Sequence, residues 1–346
     1  MQTTPVSVVT GFLGSGKTTL LSHLLRHPDM ARTAVVINEF GAVGLDHLLV
    51  ESSDENIVQL NSGCLCCTIR GDLVRTLLDL LNRRERGEVM AFERIVIETT
   101  GLADPAPILQ ALMTDNALAS AIRVDGVITT VDAVNGLSTL DRHGESVKQA
   151  AVADRIVLTK TDLADSTTAA LRARLAALNA FAPLTTAVKG EIEPKCIFDT
   201  GLYDPATKSA DVQAWLREEG TAHVGDHGHD VNRHSDRIRA RTVIRERPIH
   251  AVALTLFLEI LAEHCGADLL RLKGLVKLVE SPDKPAVIQG VQNVFNAPVW
   301  LDQWPDGNRD SRLVFITRDL PGVWFEELLD ALDAEVSETQ NRLNGL

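Results

Sequence analysis

Along the first half of the chain, short β-branched apolar runs alternate with longer stretches of helical periodicity. Val6-Ser7-Val8-Val9, Thr33 to Ile37, Arg94 to Ile97, Gly126 to Val131 and Arg155 to Leu158 read as strands. Several are apolar along their whole length, which predicts a mostly parallel sheet covered on both faces. Between them Leu73, Leu77, Leu78 and Leu81, and later Leu171, Leu175 and Leu178, recur at the spacing of one helix face and are assigned to the core. Residues 201–240 break this pattern, because Gly, Asp, His and Arg crowd around one short helical stretch near Trp215, and the segment reads as a linker. Beyond it, strand-like runs at Ile249 to Leu256, Leu269 to Leu278, Ala286 to Val294 and Arg312 to Thr317 bracket helical segments at Phe257 to Cys265 and Val323 to Leu332. The order β-α-β-β-β-α implies a small antiparallel sheet with helices on one face. At 346 residues the chain exceeds what one hydrophobic core usually holds. The expected organisation is an α/β domain over 1–200, a linker over 201–240 and a smaller α+β domain over 241–346.

The first strand runs into Gly11-Phe12-Leu13-Gly14-Ser15-Gly16-Lys17-Thr18, and a helical stretch starting at Thr19 leaves it. This is the G-x-x-x-x-G-K-[ST] phosphate loop in its proper strand-loop-helix context, so the α/β domain is expected to be a P-loop NTPase. The glycines let successive backbone N–H groups turn inward as an anion-binding nest at the positive end of the following helix. Lys17 is expected to reach the β- and γ-phosphates, and the Thr18 hydroxyl to ligate Mg²⁺. Thr159-Lys160-Thr161-Asp162, after the strand at Arg155 to Leu158, is close to the N-K-x-D element that reads guanine. A carboxylate at Asp162 accepts from the guanine N1–H and N2 amino groups, which adenine does not offer, while the Lys160 stem packs along the purine face. Thr159 stands where the amide of an Asn is usual, a departure that predicts looser base specificity. Glu98-Thr99-Thr100-Gly101 ends another buried strand where such proteins place an acidic residue near Mg²⁺ and a glycine near the γ-phosphate, making 98–106 a candidate switch segment.

Three of the five cysteines fall in Gly63-Cys64-Leu65-Cys66-Cys67, at an expected strand-to-helix turn. Thiolates converging there select Zn²⁺, Cu⁺ or similar soft to borderline metals, and a fourth ligand has to come from elsewhere. A redox role and three plain buried thiols compete with that reading. A formal net charge of -13 argues against a nucleic-acid partner and an anionic membrane surface. Met1 to Thr10 lacks the basic flank and cleavage site of a secretory signal, and no later apolar run is long enough to span a bilayer, so a cytoplasmic protein is expected. His223, His227, His229 and His234 place four of the ten histidines in the linker. They, and His227 and His229 in particular, are candidates to load metal, or they belong to a polar linker; His250 and His264 are assigned structural roles.

Taken in chain order, GFLGSGKTT at 11–19, INEFG at 37–41, NSGCLCCTIRGDL at 61–73, ETTGLADP at 98–105, TKTD at 159–162, RLKG at 271–274 and QGVQ at 289–292 resemble the CobW-type metal-handling P-loop GTPases, relatives of HypB and UreG. The resemblance covers nearly the whole chain. It implies a GTPase whose C-x-C-C cysteines hold Zn²⁺ or Co²⁺ when the switches close around GTP, followed by a smaller domain that meets client metalloproteins. It implies further that Glu39 sits in a first switch and that Asp46 approaches Mg²⁺. Where the family often has a second Glu after NEFG, Ala42 stands here, removing a carboxylate from any metal site that depends on it. Gly11, Gly14, Ser15, Gly16, Lys17, Thr18, Thr19, Gly101, Thr159, Lys160 and Asp162 are the expected nucleotide contacts, with Lys17, Thr18 and Glu98 as the catalytic set. No residue takes the part of the glutamine that orients the attacking water, so slow intrinsic turnover is expected. A second copy of the chain is a further candidate partner. Two other readings stay open: a P-loop kinase or ATPase acting on a small molecule, and a non-catalytic metal sensor in which the nucleotide is structural.

Overall fold

The computed structural model describes residues 3–38, 57–59, 66–164, 168–198, 238–305, 307–321 and 323–344. The chain divides into two compact units, whose described parts are 3–198 and 238–344.

The first unit runs β1 (Thr4–Gly11), α1 (Lys17–Leu24), β2 (Thr33–Asn38), β3 (Ile57–Gln59), α2 (Cys66–Glu85), β4 (Arg94–Thr99), α3 (Ala106–Thr114), α4 (Asn116–Ala121), β5 (Ile122–Asp132), α5 (Gly136–Arg142), α6 (Gly144–Val152), β6 (Arg155–Thr159), α7 (Thr168–Leu178) and β7 (Leu184–Ala187). Its seven strands pair in the order β3-β2-β4-β1-β5-β6-β7, all parallel. Val6, Val8 and Val9 of β1 are fully buried, as expected of a central strand covered on both faces. Leu20, Leu21 and Leu24 of α1 pack with Val9, Val35, Val96, Ile128 and Val157. From β1 the chain winds to one side through β2 and later to the other through β5. That reversal opens a crevice at the carboxyl ends of the strands, where ligands bind in this class of sheet. β7 has no counterpart among the sequence-read strands, because Leu-Thr-Thr-Ala lacks an apolar run.

The second unit runs β8 (Ile238–Arg245), α8 (Ala251–His264), β9 (Leu269–Leu278), β10 (Ser281–Val291), β11 (Val294–Phe295), β12 (Val299–Trp300), β13 (Ser311–Arg318) and α9 (Val323–Asn344). The sheet order is β11-β10-β9-β13-β8, with β12 on β10, and every pair is antiparallel. One correction follows. Residues 249–256 are not a strand: Ala251 onward is helix, and the first strand of this unit lies earlier, at β8. Ala-Val-Ala-Leu-Thr-Leu resembles strand alternation, but its buried members Ala253 and Leu254 continue to Phe257 and Leu261, one helix face set against Leu272, Val276, Leu313 and Phe315 of the sheet. His250 is structural: its Nδ1 lies 2.8 Å from Asp333 Oδ1, its backbone N–H donates to the same oxygen, and Arg245 pairs with Asp333 from β8. Among the described residues no helix is long and apolar enough to cross a membrane.

Candidate functional site

The carboxyl end of β1 turns at Gly11 into a loop that closes on α1. Gly16 caps that helix in the left-handed region, with φ of 90°, which costs a glycine least. Lys17, almost fully buried, folds back over the loop and donates to the carbonyls of Gly11 at 2.8 Å and Phe12 at 3.1 Å. One residue on, the Thr18 hydroxyl donates to Glu98 Oε1 at 2.9 Å from the end of β4. Thr99 beside it donates to Thr10 at the end of β1, locking the two strand ends together. Gly101 lies so close to the loop that a Cβ there would sit 2.6 Å from the Leu13 nitrogen. Only a residue without a side chain allows that approach.

On the other side the loop is tied to β5 and β6. Ser15 Oγ and Thr130 Oγ1 are 2.6 Å apart, and the Thr159 hydroxyl donates to the Ser15 carbonyl at 2.7 Å. The hydroxyl at 159 therefore does the loop-anchoring work, which a methyl group could not. Lys160, in the left-handed region at φ 55°, donates to the Gly14 carbonyl at 2.7 Å and to Asp132 Oδ2 at 2.8 Å. Asp132 also accepts from the backbone N–H groups of Val134 and Asn135 and from the Asn135 amide. Burial pushes its carboxyl up, but Lys160, the Asn135 amide and those two N–H groups outweigh burial and hold it below the ordinary carboxylate range. Asp162 follows in an exposed turn. A cavity of about 280 Å³ lies beside the loop, lined by Phe12, Ser15, Thr130, Asn135, Ser146 and Gln149 among others.

The sequence-read residues Gly11, Gly14, Ser15, Gly16, Lys17, Thr18, Thr19, Glu98, Gly101, Thr159, Lys160 and Asp162 thus gather at one end of the first sheet, on the loop, on the start of α1 and at or just beyond the ends of β4 and β6. Cys66 and Cys67 are the first two residues of α2. Cys64, Glu39, Asp46 and the histidines at 223, 227, 229 and 234 lie outside the described residues. Three contributors were not read from the sequence. Asp132 carried a signal, a carboxylate closing an almost wholly buried parallel strand. His143, stacked on Phe12 with ring centroids 4.5 Å apart, and Gln149 carried none, since their contacts are made across the fold.

Comparison with known proteins covers both units. A profile of the CobW/HypB/UreG nucleotide-binding domain matches residues 5–186, and one of the cobalamin synthesis protein cobW C-terminal domain matches 238–333. The zinc chaperone YjiA of Escherichia coli K12 is 35% identical over 316 residues, covering 91% of this chain and 94% of its own length. The zinc chaperone CobW of Pseudomonas aeruginosa is 32% identical over 351 residues, covering 91% and 88%. Among solved structures, a zinc-bound triple mutant of the YjiA GTPase, with one glutamate and two cysteines replaced by alanine, matches at a TM-score of 0.71 and 31% identity over 96% of this chain and 99% of that one.

Proposed function

The chain belongs to the CobW/HypB/UreG family, and from that premise we propose that it is a GTP-hydrolysing metallochaperone that takes up zinc at Cys64, Cys66 and Cys67 in a nucleotide-dependent way and hands it to client metalloproteins. The single observation that carries the reading is the pairing of Thr18 with Glu98 beside a Lys17 folded onto its own loop. Lys17 exchanges the Gly11 and Phe12 carbonyls for phosphate oxygens as the nucleotide enters, and bonds to anionic acceptors replace bonds to neutral ones. The hydroxyl and carboxylate at 18 and 98 are two hard oxygen donors 2.9 Å apart, a set that suits Mg²⁺. When bound, that ion neutralises charge on the β- and γ-phosphates. Asp162 reads guanine, with Lys160 held over the base site by Asp132 and the Gly14 carbonyl. Thr159 anchors the loop rather than the base.

Gly101 senses the third phosphate through its N–H, so the segment after β4 reports the nucleotide state. Cys66 and Cys67 open α2, and the partial positive charge of a helix N-terminus favours the thiolates that zinc needs. Co²⁺ suits the same ligands, and Glu39, His227 and His229 are weaker candidates to assist. The assignment of 1–200 to GTPase chemistry, 201–240 to a linker and 241–346 to client contact, slow unassisted turnover, a cytoplasmic location and a homodimer complete the proposal.

The test is a zinc titration at equilibrium with GDP and with a non-hydrolysable GTP analogue, in wild type and in Cys66→Ser. YjiA lacking one glutamate and two cysteines still crystallises with zinc, so the readout is the nucleotide-dependent difference and not total zinc. The expectation is zinc bound at least about tenfold more tightly in the triphosphate state, with the same factor appearing in the preference for the analogue over GDP when zinc is added, because coupling is reciprocal. Cys66→Ser abolishes the difference. Equal affinities in wild type would remove the cycle.

A further inference from the structure

α6 holds the segment after β4 at three points. The side chain of Gln149, 1% exposed, donates through Nε2 to the Gly101 carbonyl at 3.3 Å and the Ala103 carbonyl at 3.0 Å. Its neighbour Lys148 pairs with Asp104 at 3.2 Å, and the other carboxyl oxygen of Asp104 caps the following helix at Ala106. The helix is itself fixed to the sheet, because Thr129 of β5 donates to the Gln149 carbonyl at 2.8 Å. Two carbonyls facing one primary amide leave a single orientation for it, NH₂ toward the segment, and both of its protons are then in use.

The position matters because of what Gly101 does at its other face. A Cβ at 101 would meet the nitrogen, Cα and Cδ2 of Leu13 within 2.6–2.7 Å, so this residue lies flat against the phosphate loop. Its carbonyl is drawn toward α6 by Gln149, and that sets how its peptide units turn relative to the loop. Without a donor at 149 the two carbonyls lose a buried partner and the segment loses the restraint that aims it.

We propose that Gln149 is a positioning residue for the nucleotide switch: it presents Gly101 to the third phosphate and so sets the preference for GTP over GDP. The inference rests on the GTPase reading above. In this reading Gln149 acts through residues 101 and 103.

The test measures affinity for GDP and for a non-hydrolysable GTP analogue, together with kcat and KM for GTP, in wild type, Gln149→Leu and Gln149→Asn. In Gln149→Leu, GDP affinity stays within about twofold, since the loop and base site are untouched. Preference for the analogue falls about tenfold and kcat falls more than KM rises, as expected for loss of a buried hydrogen-bond donor whose effect is confined to one nucleotide state. Gln149→Asn, one methylene shorter, keeps an amide but cannot reach both carbonyls, and shifts the preference in the same direction. It carries the test if the leucine variant does not fold. Equal weakening of both nucleotides, or an unchanged ratio in a folded variant, overturns the proposal and leaves Gln149 a packing residue. Wild-type protein that binds neither nucleotide, or does not distinguish them, overturns the GTPase cycle and this inference with it.

Discussion

Thr159→Val separates anchoring of the phosphate loop from recognition of the base. Valine keeps the shape of threonine and deletes only the hydroxyl, which donates to the Ser15 carbonyl at 2.7 Å and lies 3.3 Å from the Val131 carbonyl. One proton cannot serve both well, so the shorter bond carries most of the effect. Thr159 is 5% exposed and Ser15 2%, so water does not readily replace what is lost. Leaving a buried acceptor unpaired costs about 1–3 kcal/mol. Taking ~2 kcal/mol and ~2–4 °C per kcal/mol for a unit of this size, the melting midpoint drops by roughly 4–8 °C. Because the bond orders the loop before nucleotide arrives, part of that cost returns as weaker binding, and GDP affinity falls about tenfold if most of it does. The assay pairs thermal melting with equilibrium titration of a fluorescent GDP. Thr159→Ser, which retains the hydroxyl, recovers most of the affinity. A valine variant that melts within about 1 °C of wild type and binds GDP within about twofold would show that the hydroxyl does not hold the loop.

Gly101→Ala places a methyl group against the Leu13 backbone, which cannot swing aside as a side chain would, and overpacking of this kind costs about 1–3 kcal/mol. The variant is expected to melt several degrees lower and to lose preference for triphosphate, and an unchanged melt would refute the close approach. In the second unit, burial raises the Asp333 carboxyl, but bonds from the His250 backbone and ring and the charge of Arg245 outweigh it, leaving it below the ordinary 3.8. Its folded-state value is depressed, so its stabilisation is full above the unfolded value and is lost as pH falls through the folded one. Asp333→Asn should therefore cost about 3 kcal/mol at neutral pH, with the gap to wild type closing below about pH 4 in denaturant titrations; a gap independent of pH would refute the assignment.

The fold was legible wherever a local pattern carried it. Buried parallel strands show as unbroken apolar runs, and β1, β2, β4, β5 and β6 were read from them. β7, with two threonines among its four residues, shows no such run and is a strand only because it pairs with β6. The start of α8 misled because six residues with apolar alternation fit both periods, and the sheet beneath selects the helical one. Within the site, the phosphate loop is a contiguous string and declares itself. Asp132, His143 and Gln149 act on residues 28, 131 and 48 positions away respectively, through Lys160, Phe12 and Gly101. The first needs β6 beside β5, and the other two are made across the fold, so no spacing in the chain announces them.

The ties on the phosphate loop differ in kind between its two flanks. Toward β5 and β6 it is riveted by Ser15 to Thr130, Ser15 to Thr159 and Gly14 to Lys160, side-chain bonds that fix that flank to the strand ends. Toward β4, Thr18 at the start of the following helix donates to Glu98, and Gly101 lies against the Leu13 backbone with no side chain between them. There backbone meets backbone, so a shift of the segment after β4 reaches the loop without a side chain to absorb it.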